Sequence, residues 1–198
     1  MIEIVTWKNV HLHGSLWADH HRLRYKLFIE RLRWQVNSEE GMEYDEFDTP
    51  AATYLFVIHK SRLASVARFI PTTKPYMIEK LWPFFMESLP RDNTVWELSR
   101  FGVDPDLSTE ERTHVSLEAI LGFHEFGLRK GIERVLVVMP TQLIRHLTRM
   151  GGCSYSYLSP PRMMDGMRIA AAAIDVSADV ASRLRYRLMD YQSQKIAA

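Results

Sequence analysis

The 198 residues, 46% of them hydrophobic, fit one globular domain with its own core, and we expect residues 1–198 to form a single domain. The formal net charge of +1 at pH 7 excludes the strongly basic composition of a general nucleic-acid binder, so no nucleic-acid partner is expected. A single cysteine excludes an intrachain disulfide and is typical of a reducing compartment. The chain shows neither a signal peptide nor an apolar run long enough to span a bilayer, which predicts a cytoplasmic protein without membrane contact.

The first elements predicted along the chain are a strand over residues 2–7 and a helix over residues 15–32. Ser15 provides an N-cap for this helix, and apolar residues recur along it near the helical period. Arg24 and Phe28 are four residues apart, so their side chains share one face of the helix. A salt-bridged arginine beside a core phenylalanine would explain this pair without any function.

Residues 37–50 form a polar segment that we call the acidic loop. Gly41 and Pro50 interrupt regular structure there, and Asp45 and Asp48 lie between them. With few apolar anchors, the segment is expected to be irregular, or a lid that is mobile until a substrate binds. Carboxylates in loops are usually solvated, so Asp45 and Asp48 alone do not indicate a site.

Two strands are predicted over residues 53–59 and 65–70, joined by a short polar turn. Arg68 lies inside the second strand, between Ala67 and Phe69. A mid-strand arginine among apolar neighbours needs a carboxylate partner, whether its role is structural or functional. Residues 71–90 are rich in proline and aromatic residues and predict an irregular connection.

A third strand over residues 95–103 carries charged residues where an apolar core is expected. Strict alternation places Glu97 with Ser99 on one face and Leu98 with Arg100 on the other. A β-bulge would instead bring Glu97 and Arg100 closer together. A buried glutamate is costly unless it is paired, so the structural alternative is an ion pair of Glu97 with Arg100 or Arg68.

The remaining elements alternate between helix and strand. The sequence Ser108-Thr-Glu-Glu111 is a capping box for a helix that ends at Gly131. A buried strand follows over residues 133–139, then a helix over 141–150, a strand over 169–175, and a last helix capped by Ser177. This order predicts an α/β domain, a three-layer α-β-α sandwich with a mixed central sheet. It resembles the N-acetyltransferase-like (GNAT) acyltransferase fold, although the glycine loop that cradles the coenzyme A pyrophosphate is missing.

The charged and aromatic positions also resemble, as a set, the signature of the acyl-homoserine lactone synthases (LuxI-type autoinducer synthases). In that family an Arg, a Phe and a Trp precede Asp-x-x-Asp, a further Arg and Glu-x-x-Arg. The positions that match in this order are Arg24, Phe28, Trp34, Asp45, Asp48, Arg68, Glu97 and Arg100. Each position alone is weak evidence for the family, but the eight positions together form a specific pattern.

The resemblance implies an enzyme that makes a quorum-sensing signal from S-adenosylmethionine and an acyl thioester. Acylation of the methionine amine and closure of its carboxylate onto the γ-carbon would release methylthioadenosine and an N-acyl-homoserine lactone. S-adenosylmethionine is a substrate in this reaction, so no cofactor is expected. Since no His/Cys pattern has metal-ligand spacing, we also expect no metal.

The residue types suit this chemistry. Glu97 is the candidate general base for the amine, and Asp45 and Asp48 would hold the ammonium or fix Arg68 and Arg24 by bidentate pairing. Positions assigned to the chemistry are Glu97, Asp45, Arg68 and Arg100. Positions assigned to substrate binding are Arg24, Phe28, Trp34, Asp48, Ser99 and Phe101.

Acyl carrier protein is favoured over coenzyme A as the carrier of the acyl group. Arg145 and Arg149 are four apart on one predicted helix, and an exposed basic patch there would suit an acidic carrier protein. Two other functions stay open. One is an N-acyltransferase of the same fold that acts on a different amine, and the other is a non-catalytic module that binds an anionic partner.

Overall fold

The computed structural model describes residues 1–164 and 166–197, and the side chains of residues 1–164 and 166–191. The strands in this described chain are β1 (Ile2–Thr6), β2 (Ser38–Glu39), β3 (Met42–Glu43), β4 (Thr53–His59), β5 (Arg62–Pro71), β6 (Val95–Val103), β7 (Arg134–Pro140), β8 (Tyr155–Tyr157), β9 (Arg162–Met164) and β10 (Met167–Asp175). The α-helices are α1 (Ser15–Arg24), α2 (Met77–Leu81), α3 (Thr109–Lys130), α4 (Thr141–Gly151) and α5 (Ala178–Ala197). A π-helical segment, Tyr25–Arg31, continues α1.

One mixed sheet forms the centre of the molecule. Its strand order is β1-β4-β5-β6-β7-β10-β8, and β9 pairs with β10. β6 and β7 run parallel, while the neighbouring pairs β5–β6 and β7–β10 are antiparallel. The prediction of an α/β fold with a mixed central sheet is confirmed.

Helices cover both faces of this sheet, which gives the three predicted layers. Leu23, Leu27 and Phe28 of α1 and its π-helical continuation pack on one face with Tyr54 and Phe56 of β4. The alternate residues of β4 point to the opposite face, where a long apolar side of α3 covers them. α5 packs against α3 through a separate apolar cluster that includes Leu117 and Leu184. Among the described helices, none has the length and apolar character that a membrane span requires.

Most predicted boundaries agree with the structure, and the ends of α3 follow from local chemistry. Ser108 and Glu111 form the predicted capping box, and Gly131 ends the helix with a φ of 67°. Ser15 is the first residue of α1 rather than its cap, because Gly14 occupies the N-cap position without a side-chain hydrogen bond. The short elements α2, β2, β3, β8 and β9 were not predicted, since segments of two to five residues show little periodicity.

The sheet opens between β6 and β7. These strands pair from Val95 opposite Arg134 to Glu97 opposite Leu136, and no further pairing between them occurs in the described chain. The parallel strands therefore fork directly after Glu97. On its other edge β6 contains a bulge, because Val66 pairs with Gly102 whereas Arg68 pairs with Ser99.

Candidate active site

Six charged side chains meet beside the fork, on the face of the sheet that α1 covers. They come from the end of α1, the acidic loop, β5 and β6. Together we call them the ion-pair network: Arg24, Glu43, Asp45, Asp48, Arg68 and Arg100. Three positive charges thus face three negative charges, and this pairing offsets the cost of burying ionised groups away from water.

Arg24 joins α1 to the acidic loop. Its side chain is fully buried, and its Nη1 and Nη2 atoms lie 2.7 and 2.9 Å from the two carboxylate oxygens of Asp48. Its Nε donates to Glu43 Oε2 over 2.5 Å. This paired contact with Asp48 is the bidentate geometry that fixes the direction of a planar guanidinium group.

Arg68 makes the equivalent contact from β5. Its Nη1 and Nη2 atoms lie 2.5 and 2.9 Å from the two oxygens of Asp45, and Nη1 also lies 2.9 Å from Asp48 Oδ1. Its Nε donates to Ser99 Oγ over 3.2 Å. The predicted carboxylate partner of a mid-strand arginine is therefore present, and it comes from the acidic loop.

Arg100 reaches the same network because of the bulge in β6. Its φ of 52° lies in the left-handed region, which is uncommon for a residue with a side chain. Its Nη2 lies 2.9 Å from Glu43 Oε1 and 2.8 Å from Asp45 Oδ2. Strict alternation was wrong here, because the extra residue places Arg100 on the face of Glu97 and leaves Leu98 on the opposite face.

The protonation of Asp48 is determined by its neighbours. Burial alone would raise the pKa of this carboxyl group, but hydrogen bonds and charge interactions with Arg24 and Arg68 lower it well below the usual range. Tyr54 Oη donates to Asp48 Oδ1 over 2.6 Å, and burial beside this carboxylate raises the pKa of Tyr54. Asp48 is thus ionised at neutral pH and accepts hydrogen bonds from both arginines and from Tyr54.

Glu97 lies at the fork and has a different environment. Its side chain is 1% exposed and accepts hydrogen bonds from the backbone N–H groups of Met77 and Ile78 at 3.2 and 2.6 Å, at the start of α2. Burial raises the pKa of Glu97, and the two backbone hydrogen bonds oppose this shift. The alternative of an ion pair with Arg100 or Arg68 was wrong, since the carboxylates that contact these arginines in the described chain come from the acidic loop.

An apolar cavity of about 50 Å³ opens on the other face of the sheet, behind the fork. Leu98 and Phe101 of β6 line it together with Val137 and Met139 of β7 and with residues of α3 and α4. The predicted site residues therefore divide between two faces. Ser99 belongs with Arg68 and Glu97, whereas Phe101 belongs to the cavity.

A polar network, a buried glutamate and an apolar cavity thus meet where two parallel strands separate. A sequence model described as "Autoinducer synthase" matches residues 9–184 of this chain. The chain belongs to the autoinducer synthase family.

Curated and solved relatives agree with this assignment. The isovaleryl-homoserine lactone synthase of Bradyrhizobium diazoefficiens is 28% identical over 179 residues, which cover 89% of this chain and 80% of that protein. The coenzyme A-dependent acyl-homoserine lactone synthase BjaI, solved with S-adenosylmethionine and isopentyl-coenzyme A, is 27% identical with a TM-score of 0.88, covering 95% of this chain and 89% of that one. MesI, also coenzyme A-dependent, is 25% identical with a TM-score of 0.83 over 95% of both chains.

The fold itself is wider than the family. A Lactobacillus plantarum protein assigned as an N-acetyltransferase has a TM-score of 0.55 at 12% identity, and this likeness concerns the fold alone. Together with the family match, it confirms the predicted N-acetyltransferase-like architecture. This autoinducer synthase is accordingly an acyltransferase by family.

The two aromatic site residues of this autoinducer synthase form a stack. The rings of Phe28 and Trp34 are 5.0 Å apart and nearly parallel, with an angle of 13° between them. The guanidinium carbon of Arg100 lies 5.5 Å from the centre of the Phe28 ring. Phe28 is buried, while 39% of Trp34 is exposed, so Trp34 presents the accessible aromatic surface.

Sequence reasoning did not include Glu43 among the site residues, although it is central to the network. Glu43 is fully buried and bridges Arg24 and Arg100 through its two carboxylate oxygens. Its own backbone carbonyl lies 2.8 Å from His21 Nδ1 of α1. The acidic character of the loop was the available signal, but it did not distinguish Glu43 from the exposed Glu39, Glu40 and Glu46.

Proposed function

We propose that this chain synthesises an N-acyl-homoserine lactone from S-adenosylmethionine and an acyl thioester, and that methylthioadenosine is the second product. The observation that carries the proposal is the meeting of Glu97, the ion-pair network and the apolar cavity at one fork of the sheet. Family membership and the bound S-adenosylmethionine of BjaI support the same reaction.

In the acylation step, the methionine amine attacks the thioester carbonyl. A nitrogen–carbon bond forms, the carbon–sulfur bond of the thioester breaks, and the carrier thiolate leaves. The amine must first lose its proton, since an α-amino group with an ordinary pKa of about 8 is largely protonated at neutral pH. Glu97 is the proposed acceptor of this proton, directly or through one water, because its raised pKa suits a general base.

The unpaired edge of β6 at the fork can stabilise the negative charge that develops on the thioester carbonyl oxygen during acylation. Beyond Glu97, the edge of β6 that faces β7 has no pairing partner in the described part of the sheet. Backbone N–H groups on this edge can donate to a carbonyl oxygen placed between the strands. The acyl chain would then enter the cavity beside Leu98 and Phe101.

Lactone formation needs positioning more than proton transfer. The methionine carboxylate is already ionised and attacks the γ-carbon, while the bond from that carbon to the sulfonium sulfur breaks and yields neutral methylthioadenosine. The ion-pair network can hold the carboxylate in a direction that allows ring closure. Trp34 and Phe28 offer a ring surface for the adenine or the sulfonium.

The cavity size limits the acyl group. An engineered cavity of about 150 Å³ holds one benzene molecule, and the cavity here measures about 50 Å³. Three large side chains, Phe69, Phe101 and Phe123, are among the residues that line it. We propose a short or branched acyl chain.

For the donor, we propose acyl-coenzyme A. Support comes from BjaI and MesI, two structurally similar relatives that are described as coenzyme A-dependent. The carrier-protein prediction made from the sequence also has an observation in its favour. Arg145 and Arg149 are exposed on α4, the helix that contributes Leu147 and Thr148 to the cavity.

Mass spectrometry tests the reaction. Purified protein is incubated with S-adenosylmethionine and a set of acyl-coenzyme A thioesters, and N-acyl-homoserine lactone and methylthioadenosine are quantified together. We expect the natural chain to form the two products in equal amounts. A folded Glu97→Gln variant should form both products much more slowly. Thioester cleavage without methylthioadenosine would indicate an acyltransferase for a different amine, and absence of cleavage would indicate a binding module.

A second assay tests the donor. Turnover is compared between matched acyl-coenzyme A and acyl-carrier-protein substrates at low and high ionic strength, for the natural chain and for Arg145→Glu combined with Arg149→Glu. Arg129→Glu, an exposed charge reversal on α3, is the matched control. Faster turnover with the carrier protein that is lost at high salt and in the double variant would favour carrier-protein docking instead.

A further inference from the structure

A second cluster of polar side chains lies at the far end of β4 from the ion-pair network. Tyr54, near the start of β4, contacts Asp48, whereas His59 ends the strand at the turn into β5. His114 and Glu118, one turn apart on α3, face His59. We call these three residues the His59–His114–Glu118 cluster.

The cluster is largely shielded from solvent. The exposed fractions of the three side chains are 20%, 10% and 13% for His59, His114 and Glu118. His114 Nε2 lies 3.9 Å from Glu118 Oε2, and one ligand atom from each residue lies within 4.8 Å of the other two. The other oxygen of Glu118 accepts a hydrogen bond from the Met1 amino group at 3.2 Å, so Oε2 is the oxygen that lies near His114.

His59 supplies the observation that points to a ligand. Its Nε2 atom is buried and has no hydrogen-bond partner among the described residues. The closest opposite charge is Glu111 Oε1 at 3.5 Å, and Lys60 already donates to that oxygen at 2.7 Å. A buried nitrogen without a partner is costly, and a metal ion would supply the missing interaction.

We propose that the His59–His114–Glu118 cluster binds a divalent transition-metal ion, with Zn²⁺ as the best match. Two imidazole nitrogens and one carboxylate are a ligand set that Zn²⁺ takes, and water can fill the fourth tetrahedral position. Zn–N and Zn–O bonds of about 2.0–2.2 Å place neighbouring ligand atoms roughly 3.4 Å apart. Metal binding would therefore require side-chain rotations that shorten the present distances of up to 4.8 Å to this value.

The sequence carried no indication of this site. His59 ends a strand and is separated from His114 on α3 by β5 and β6, and only the fold brings them together. A bound ion would connect the β4–β5 turn, α3 and, through Glu118, the N-terminus. It would therefore stabilise the fold without contact with Glu97 or the ion-pair network.

Isothermal titration of tag-free protein with zinc chloride tests the proposal. We expect one Zn²⁺ per chain, and at least a tenfold weaker affinity in His59→Ala and in His114→Ala. His11→Ala, which removes an exposed histidine outside the cluster, is the matched control and should bind as the natural chain does. Equal affinity in the natural chain and both cluster variants would overturn the proposal, as would absence of saturable binding.

Glu118→Gln provides a variant that keeps the side-chain size and an acceptor for the Met1 amino group. We expect it to weaken Zn²⁺ binding, and to reduce the rise in Tm that saturating Zn²⁺ produces in the natural chain. Co²⁺ in place of Zn²⁺ gives a visible spectrum that reports tetrahedral coordination. Octahedral Co²⁺ spectra, or an undiminished Tm rise in Glu118→Gln, would refute the site as described.

Discussion

Replacing Glu43 by glutamine tests whether the ion-pair network is a single charge-balanced unit. The change keeps the size of the side chain and removes one negative charge from a fully buried position. Glu43 Oε2 lies 2.5 Å from Arg24 Nε, and Oε1 lies 2.9 Å from Arg100 Nη2. In the variant, three arginines would face two carboxylates in the protein interior.

The expected loss of stability follows from burial. Removing one partner of a buried ion pair costs about 3–5 kcal/mol, and glutamine retains part of the hydrogen bonding, so we expect about 3 kcal/mol. For a chain of this length, 1 kcal/mol shifts Tm by about 2–4 °C. Glu43→Gln should therefore lower Tm by about 6–12 °C.

Glu46→Gln is the matched control in the same loop. Glu46 pairs with Lys80 on the surface, with 54% of its side chain exposed, and such pairs contribute about 0.5 kcal/mol or less. Calorimetry at pH 7 should show a Tm shift of about 1–2 °C for the control. If Glu43→Gln unfolds within 2 °C of Glu46→Gln, the network is not the stabilising unit that its geometry indicates.

Three further predictions concern the base, the cavity and a buried histidine. Glu97→Gln should lower the acylation rate by roughly 10²–10⁴-fold. In the natural chain, the rate should fall at low pH as Glu97 becomes protonated, at a pH above the ordinary carboxylate range because burial raises the pKa of this residue. This fall should be absent in Glu97→Gln. Met139→Ala enlarges the cavity, and the rate ratio should shift toward a longer acyl thioester by about tenfold per added methylene. Burial, with a smaller effect of nearby positive charge, lowers the pKa of His124 to about 4. The unfolded chain then binds more protons than the folded chain between pH 4 and about 6.5. The free energy of unfolding, measured by urea titration, should therefore keep its full His124 contribution above about pH 6.5 and fall as the pH is lowered toward 4. In His124→Gln, this free energy should depend less steeply on pH over the same range.

Each of these predictions has an outcome that contradicts it. Near-normal turnover in folded Glu97→Gln would remove this residue from the mechanism. An unchanged chain-length preference in Met139→Ala would mean that the acyl group lies outside the cavity. His146→Gln, at an exposed position on α4, controls for the loss of a histidine, and an equal change of slope in both variants would exclude the buried His124 as the cause.

Long elements with a clear pattern could be predicted from the sequence. The capping box of Ser108 and the terminal Gly131 defined α3 because both signals act within a few residues of the helix end. Arg68 likewise indicated its own carboxylate partner, because a mid-strand guanidinium group is not stable without one. In such cases local chemistry determines the result.

Other features depend on contacts that the sequence does not show. The left-handed φ of Arg100 arises from the bulge, and strict alternation alone placed this side chain on the wrong face. Glu43 differs from Glu46 in its burial and in its contact with two arginines that are remote in sequence. The partners of Glu97, which are backbone N–H groups of the unpredicted helix α2, could not be read from side-chain patterns.

The balance of charge in the network has a consequence for the proposed substrate. Each arginine already faces at least two carboxylates, so a substrate carboxylate alone would add a negative charge that the buried site does not compensate. The amino-acid end of S-adenosylmethionine carries a carboxylate and an ammonium group on the same carbon, so the proposed substrate would enter without changing the balance. Acylation then requires the ammonium to lose its proton. Because burial raises the pKa of Glu97, that proton can move onto a neighbouring buried group, and the total charge inside the site stays constant during the transfer.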